Sequence, residues 1–318
     1  MAIANYVNGF PNGVLLRGVP ILQTNPGKVF WVYNGTTGLM PGQRGGSNGN
    51  RGGFNDPFST LAYAFTQCVA NRGDIIMVKA GHAENIAAST ALSIAGVAVI
   101  GLGAGTNRPT FTFTTANTAT FSVTAANVSF QNCVFTANFL SIAAPITLTT
   151  AKWFTAQNCL FQDTSASLDF LNCIKSTGAA NTADGLAVLD CDWFGTGVTS
   201  VNSMILVADA NIDVTLLRNR AITERVADAP ILLTVTTGAS TNIEIGDNVV
   251  ISKQTAATDG TVAKLGATST GVVYRNFSGT LVTASDKIFT TTVGVYPFEN
   301  RVSGVVGATG FVIPAVDS

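Results

Sequence analysis

Charge is scarce in this chain. Asp, Glu, Lys and Arg make up 11% of its 318 residues, against about 25% in a typical soluble domain. Much of the surface must therefore be Thr, Ser and Asn, or be covered by a partner. The formal net charge is -1, which argues against a protein that works by neutralising nucleic-acid phosphate, since that needs clustered Lys and Arg. Histidine occurs once, as His82 in "KAGHAENI". With no Ser or Cys partner in view, it reads as a structural residue after a strand. The five cysteines, Cys68, Cys133, Cys159, Cys173 and Cys191, are odd in number and form no CxxC pair. That excludes a fully paired disulfide framework and gives no zinc signature; buried thiols, no metal and no cofactor are expected. No run approaches the ~20 apolar residues of a membrane helix. "MAIANYVNGF" lacks the basic start and apolar run of a secretory signal. The expectation is a chain made in a reducing cytoplasm, without a membrane partner.

What the chain does have is repetition. "FQNCVF" (Phe130 to Phe135), "AQNCLF" (Ala156 to Phe161) and "LDCDWF" (Leu189 to Phe194) read almost alike. Aligned on Cys133, Cys159 and Cys191, the series continues through Asn219, Asn248 and Asn276, at intervals of 26, 32, 28, 29 and 28 residues. A short β-prone run precedes each member. "DIIMV" (Asp74 to Val78) and "GVAVIGLG" (Gly96 to Gly103) look like earlier members. A second family of strands lies between, from "ATFSV" (Ala119 to Val123) through "SMILVA" (Ser203 to Ala208) to "KIFTTTV" (Lys287 to Val293). Two strand families in step, with one period of about 28 residues, describe a coil winding forward: a parallel β-solenoid. About eight turns at ~4.8 Å each make a rod roughly 40 Å long. A sandwich would instead show hairpin turns every 8–12 residues.

In a solenoid the same position of every coil forms a column. Cys133, Cys159 and Cys191 make a column of small buried residues, continued by Asn219, Asn248 and Asn276, whose amides can bond to one another and to backbone at the corner. The preceding column reads Asn132, Asn158, Asp190, Arg218, Asp247, Arg275. Its last four members alternate in sign, so a stacked ion ladder is expected that also favours correct register.

A solenoid exposes sheet edges and core at its ends, which need caps. "NDPFSTLAYAFTQCVANRGD" offers Ser59 or Thr60 as a helix N-cap, then Leu61, Phe65, Cys68 and Val69 at helical spacing, with Gly73 as the stop. Residues 39–55 are rich in Gly and Asn and read as a flexible or turn-rich joint. Residues 1–38 are apolar, broken by Pro and Gly, and too short for a core of their own. They read as an extended arm that packs on a neighbour through Tyr6, Phe10, Leu15, Leu16, Val19, Ile21, Leu22, Phe30 and Trp31. Residues 56–293 are assigned to the solenoid with its capping helix, and 294–318 to an apolar cap or interface.

The stretch "GGFNDPFSTLAYAFTQCVANRGDIIMVKAGHAENI" resembles the opening of pectate-lyase-like β-helices in tailed-bacteriophage virion proteins. The resemblance covers about Asn55 to Val293, and the arm and the "ENRVSGVVGATGFVIP" ending resemble phage structural proteins. It implies an all-β, right-handed parallel β-helix, a homotrimer, and a place in a virion.

Many such proteins cut polysaccharide, which requires two carboxylates flanking the glycosidic bond. The densest acidic group here is Asp163, Asp169, Asp184, Asp190 and Asp192, and each lies beside a turn signal where Asp commonly bonds backbone. "GLGAGTNRP" (Gly101 to Pro109) lacks the Lys-Ser/Thr pair and helix of a phosphate loop and reads as a coil corner. Trp153, Trp193 and Tyr274 could line a sugar groove, or pack in the core or between subunits. The expected function is a non-enzymatic capsid decoration or cement protein on the virion surface, held to the major capsid protein by its arm. The alternative is a tail fibre or tailspike that binds or cleaves a surface glycan.

Overall fold

The computed structural model describes residues 27–37, 39, 41–177, 180–198, 203–226, 230–253, 260–281, 288 and 294–303, and the backbone of a two-residue antiparallel pair, Leu15–Leu16 with Val19–Pro20. Strands of two to four residues alternate buried and partly exposed positions, as period-two side chains on a half-buried sheet must. From Ile75–Val78 onward each strand pairs in parallel with its counterpart one coil away, not with the next strand in sequence. Ser129–Gln131 lies between Ala98–Gly101 and Thr155–Gln157; Val134–Ala137 lies between Thr110–Phe113 and Leu160–Asp163. The chain is thus an all-β parallel solenoid with three sheets of ten, nine and seven strands. Among the described residues, seven coils contribute to all three.

The sequence reading found two strand families, and there are three. In "FQNCVF" the first sheet ends at Gln131 and the second begins at Val134. A corner of only two residues leaves no gap in the apolar pattern, so strand–corner–strand reads as a strand and a turn.

Columns of like residues fill the interior. Phe111, Phe135, Phe161 and Trp193 are in register on the second sheet. Phe135 and Phe161 stack with ring centroids 5.0 Å apart at 13°, and Phe111 and Phe135 at 5.9 Å and 27°. Phe121 of the third sheet meets Phe111 edge-on at 5.3 Å. Each such pair adds about 0.5–1.5 kcal/mol beyond burial.

All three proposed domain boundaries move. Val29–Val32 is the first strand of the ten-stranded sheet, paired with Ile75–Val78, and Phe30 is 9% exposed in the core. Phe30 and Trp31 therefore belong to the solenoid and not to a separate arm ending at residue 38. The remaining arm residues, Tyr6, Phe10, Leu15, Leu16, Val19, Ile21 and Leu22, have side chains outside the described residues. The Gly/Asn-rich stretch is no joint either. Its backbone covers the free edge of this first strand: Trp31 N–H donates to Gly52 O (2.8 Å), and Tyr33 N–H to Phe58 O (2.8 Å). Glycine is required at 52, where φ is +75° and the Phe58 ring lies 2.3 Å from where a Cβ would stand. At the other end, Val295–Phe298 and Arg301–Ser303 add a further coil to the first two sheets. The solenoid therefore runs past residue 293. Coil strands are too short to be told from an apolar tail by composition.

The capping helix spans Leu61–Thr66. The Thr60 side chain accepts from Tyr63 N–H, and Leu61, Ala64 and Phe65 are buried. The helix packs on Val29–Val32, Ile75–Val78 and Ser89–Leu92, where, among the described residues, the other two sheets supply no strand to the first turn. It stops earlier than its apolar spacing suggested. Cys68 is buried beyond it, but Val69 is exposed.

Two corners hold the backbone in the left-handed region. Between the first and second sheets the corner residues are Asn132, Asn158, Asp190, Arg218, Asp247, Arg275 and Glu299, with φ of 47–57°. Between the third and first sheets they are Gly73, Gly96, Asn127, Trp153, Gly185, Asp213, Asn242 and Gly294. Gly, Asn and Asp are the residues that tolerate this conformation. Trp153 is the bulky exception in its column.

Candidate functional site

The corner between the first two sheets gathers the predicted ladder residues. On its inner side Cys133, Cys159 and Cys191 are fully buried, and Asn219, Asn248, Asn276 and Asn300 continue the column, equally buried. From Cys159 on, each residue donates toward the same backbone carbonyl of the preceding coil. The thiols do so weakly: Cys159 Sγ to Phe130 O at 3.7 Å and Cys191 Sγ to Ala156 O at 3.6 Å. The amides do so well: Asn219 to Val188 O, Asn248 to Leu216 O, Asn276 to Ile245 O and Asn300 to Val273 O, at 2.8–3.0 Å. Each Asn Oδ1 also accepts the backbone N–H and, among the amides, the Nδ2 of the residue one coil earlier. Asn300 has the same spacing logic as Asn276 and was legible in "FENRV", but the period there falls to 24 residues. Burial pushes the thiols of Cys133, Cys173 and Cys191 well above their ordinary range and that of Cys68 to about 12. Buried, protonated thiols are inert structural groups.

On the outer side the charges form separate rungs. Arg218 bonds Asp190 through Nε and Nη2 at 2.6 and 2.9 Å, and Arg275 bonds Asp247 at 2.7 and 2.8 Å. Each arginine reaches back one coil, so the alternating column makes two bidentate pairs instead of one continuous ladder. Hydrogen bonds from these arginines hold the Asp190 and Asp247 carboxyls below the usual range. Left-handed φ at an arginine costs on the order of 1 kcal/mol, and the bidentate geometry compensates.

The five-Asp group is dispersed among structural tasks. Asp163 accepts Phe170 N–H and Thr196 N–H, each at 2.9 Å, pinning two loops. Burial, with the neighbouring Asp169 adding to it, pushes its carboxyl up to about 6. Asp169 accepts Ser141 N–H at 3.1 Å and is likewise raised by burial. Asp184 accepts Ile212 N–H at 3.0 Å and pairs with Lys152 at 2.8 Å. Asp190 takes Arg218, and Asp192 takes Arg220 at 2.9 Å. No group of three or more His, Cys, Asp or Glu side chains suited to a metal occurs among the described residues.

His82 and Glu84 are a buried pair at the capped end. His82 Nε2 lies 3.1 Å from Glu84 Oε2, and His82 Nδ1 accepts Asn34 N–H at 3.2 Å. Glu84 Oε2 also accepts Leu61 N–H at 2.9 Å. The imidazole therefore carries its proton on Nε2, and the pair ties the helix start to the second sheet.

"GLGAGTNRP" forms a corner with one 3-10 turn, Gly105–Asn107, and no α-helix follows. Its Arg108 reaches over two coils to Cys133 O (3.1 Å) and Asn158 O. The loop, with Gln131, Asn132 and Asn158, borders an open groove of about 530 Å³.

Of the three aromatics set aside for a sugar groove, Trp193 is 2% exposed and belongs to the core. Its place in the Phe161 column explains this. Tyr274 lies on the outer face, stacked on Phe298 (5.0 Å, 6°), with its hydroxyl donating to Glu244 at 2.8 Å. Trp153 is 53% exposed.

No family model and no curated protein matches the chain. Among solved structures, a rhamnogalacturonan lyase is similar at 13% identity and a TM-score of 0.48, over 80% of this chain and 69% of the lyase.

Proposed function

We propose that this chain is a non-enzymatic structural protein of a tailed-bacteriophage virion, most simply a decoration or cement protein of the capsid. The observation that carries the reading is the use of its acidic residues. Asp163, Asp169, Asp184, Asp190 and Asp192 each bond backbone N–H groups, an arginine or a lysine that hold loops and corners together. A glycosidase needs carboxylates free to meet a glycosidic oxygen and a water or anomeric carbon. The amide, thiol and aromatic columns support a mechanical role, because every coil is bonded to the next at the corner and through the core. In this reading residues 1–26 reach from the solenoid to the major capsid protein, and the chain assembles as a homotrimer on the virion surface.

The test is cryo-electron microscopy of intact virions together with a depolymerase assay on host-surface polysaccharide. Rod-shaped density on the shell, with the arm among capsid subunits, and no cleavage is the expected result. Density only at the tail, or polysaccharide cleavage that Asp163→Asn abolishes, overturns it. The second reading is a tail protein that acts on glycan. The carboxyl of Asp163, raised to about 6 chiefly by burial with Asp169 nearby, favours it, since an acid with such a value can serve as a proton donor.

A further inference from the structure

The outer faces of the solenoid change character along its length. On the second sheet the outward column reads Asn85, Thr112, Thr136 and Gln162 in the earlier coils, then Phe194, Ile222 and Ile251 in the later ones. Phe277 stands in the coil that follows. On the first sheet Gln131 and Gln157 give way to Leu189 and Leu217, and farther on to Tyr274 and Phe298. Both switches fall in one coil, since Leu189 and Phe194 flank a single corner. The first-sheet column is apolar again toward the capped end, at Ile100, Met77 and Trp31, where Phe54 packs edge-on against Trp31 at 4.8 Å. The third sheet makes no such switch. Its outward column reads Ser122, Thr147, Lys175, Leu206, Thr234 and Lys264, with a single apolar member.

The later coils leave these apolar columns open. Ile251 is 40% exposed, Phe277 38%, Tyr296 70% and Phe298 47%. Val198 and Val226, exposed just past the second sheet, widen its face, and Val226 N–H donates to Val198 O at 3.4 Å. Contiguous apolar surface of this kind is a contact surface for another molecule. The charges set among it are taken up within the chain: Asp192 by Arg220, Glu224 by Lys253, and at the shared corner Asp190 by Arg218 and Asp247 by Arg275. Glu299 and Arg301 add one charge of each sign at the last coil. The surface therefore carries no block of one sign that would repel a copy of itself.

We infer that a second copy of this chain docks here in parallel, with the first-sheet face of one protomer on the second-sheet face of the next, through the coils from Leu189 to Arg301. Two unlike apolar faces at the same height, joined at one corner, are what such a contact requires. A contact between unlike faces repeats from copy to copy and closes into a ring. With the coils side by side, each protomer then buries two adjoining faces and leaves the polar third face to water. Parallel alignment also sets apolar coils on apolar coils and amide-rich coils on amide-rich coils. Area points the same way. Five coils of ~4.8 Å rise and strands ~13 Å long make each face roughly 300 Å². One such face is well below the ~800 Å² that each partner of a stable complex buries, whereas two together approach it. The inference rests on the self-association proposed for the chain, and it adds the faces, the coils and the orientation.

The test is sedimentation of the full chain with one face broken at a time: Tyr296→Asp on the first sheet, Ile251→Asp on the second, and Thr234→Asp on the third as control. The parent and the control are expected to sediment as one closed oligomer. Each of the other two variants should weaken association at least about tenfold. An equal mixture of Tyr296→Asp and Ile251→Asp should form a two-chain species, because one intact face of each kind remains to pair. Melts followed by circular dichroism separate lost association from lost folding. If either Asp variant is unfolded, Tyr296→Thr and Ile251→Thr, which suit a strand, replace the pair. An oligomer that withstands both substitutions overturns the inference and leaves the homotrimer to other contacts. A mixture that stays monomeric overturns it too, since each face would then pair with its own kind. A monomeric parent overturns the inference and the homotrimer together, without touching the location on the virion. If removing residues 304–318 then makes that monomer associate, the face belongs to the chain's own C-terminal segment.

Discussion

Asn248→Ala is the substitution that examines the interior corner most directly. Asn248 Oδ1 accepts Asn219 N–H at 2.8 Å and Asn219 Nδ2–H at 3.1 Å, and its Nδ2 donates to Leu216 O and to Asn276 Oδ1, each at 2.9 Å. All of these groups are buried. Alanine removes the four side-chain bonds. The Asn219 N–H is left without an acceptor, at about 1–3 kcal/mol, and each of the other lost bonds costs about 0.5–1.5 kcal/mol net. The expected loss is about 4 kcal/mol, a large fraction of a typical 5–15 kcal/mol stability. The neighbouring Asp247→Asn supplies the control. It removes an exposed ion pair with Arg275, but asparagine tolerates the left-handed φ of 57°, so only a small fraction of that loss is expected. Urea unfolding followed by circular dichroism measures both, and amide exchange at Cys191 and Asn219 locates the damage, since coils depend chiefly on their neighbours. A loss under about 1 kcal/mol for Asn248→Ala, or equal losses for the two variants, would refute the reasoning.

Three further outcomes follow from the same geometry. Asp163 has a folded-state value of about 6, above the ordinary 3.8, so its contribution is fully present below the unfolded value and is lost as pH rises through 6. It amounts to at most ~3 kcal/mol, and less because the group is partly solvated. Melting temperature should fall over that window, and Asp163→Asn should flatten it; an unchanged profile in the variant removes the assignment. Gly185→Ala should destabilise by about 2 kcal/mol, combining strain at φ +71° with collision against Trp153. In a Trp153→Asn background only the backbone part, about 1 kcal/mol, should remain, and strict additivity in thermal melts would contradict the contact. Finally, all five cysteines are free and buried. The native chain should resist an aromatic disulfide reagent at neutral pH and release all its thiols on unfolding. Fast labelling of any one before unfolding would place that cysteine outside the core.

The sequence by itself determined the periodic parts of this protein. A 28-residue repeat of short β-branched runs has no other economical outcome than coils in register, because every corner residue then meets its own kind. Cys133 through Asn276 and Asp190 through Arg275 were legible on that ground alone, and the N-cap of the helix was visible in the residues around Thr60. Tertiary structure decided what periodicity does not encode. A two-residue corner hid the second sheet inside a single apolar motif. The ends were misjudged because Phe30 and Val295 take their roles from pairing with strands far along the chain, at positions where local composition is apolar in either case. Which aromatic faces water was also undecided by sequence. Trp193 and Trp153 sit in similar contexts, but the register places one among the phenylalanines and the other at a corner against a glycine of the next coil. The carboxylates follow the same rule: their spacing brings them to neighbouring coils, and only the folded corners determine that backbone N–H groups, arginines and lysines have taken them up.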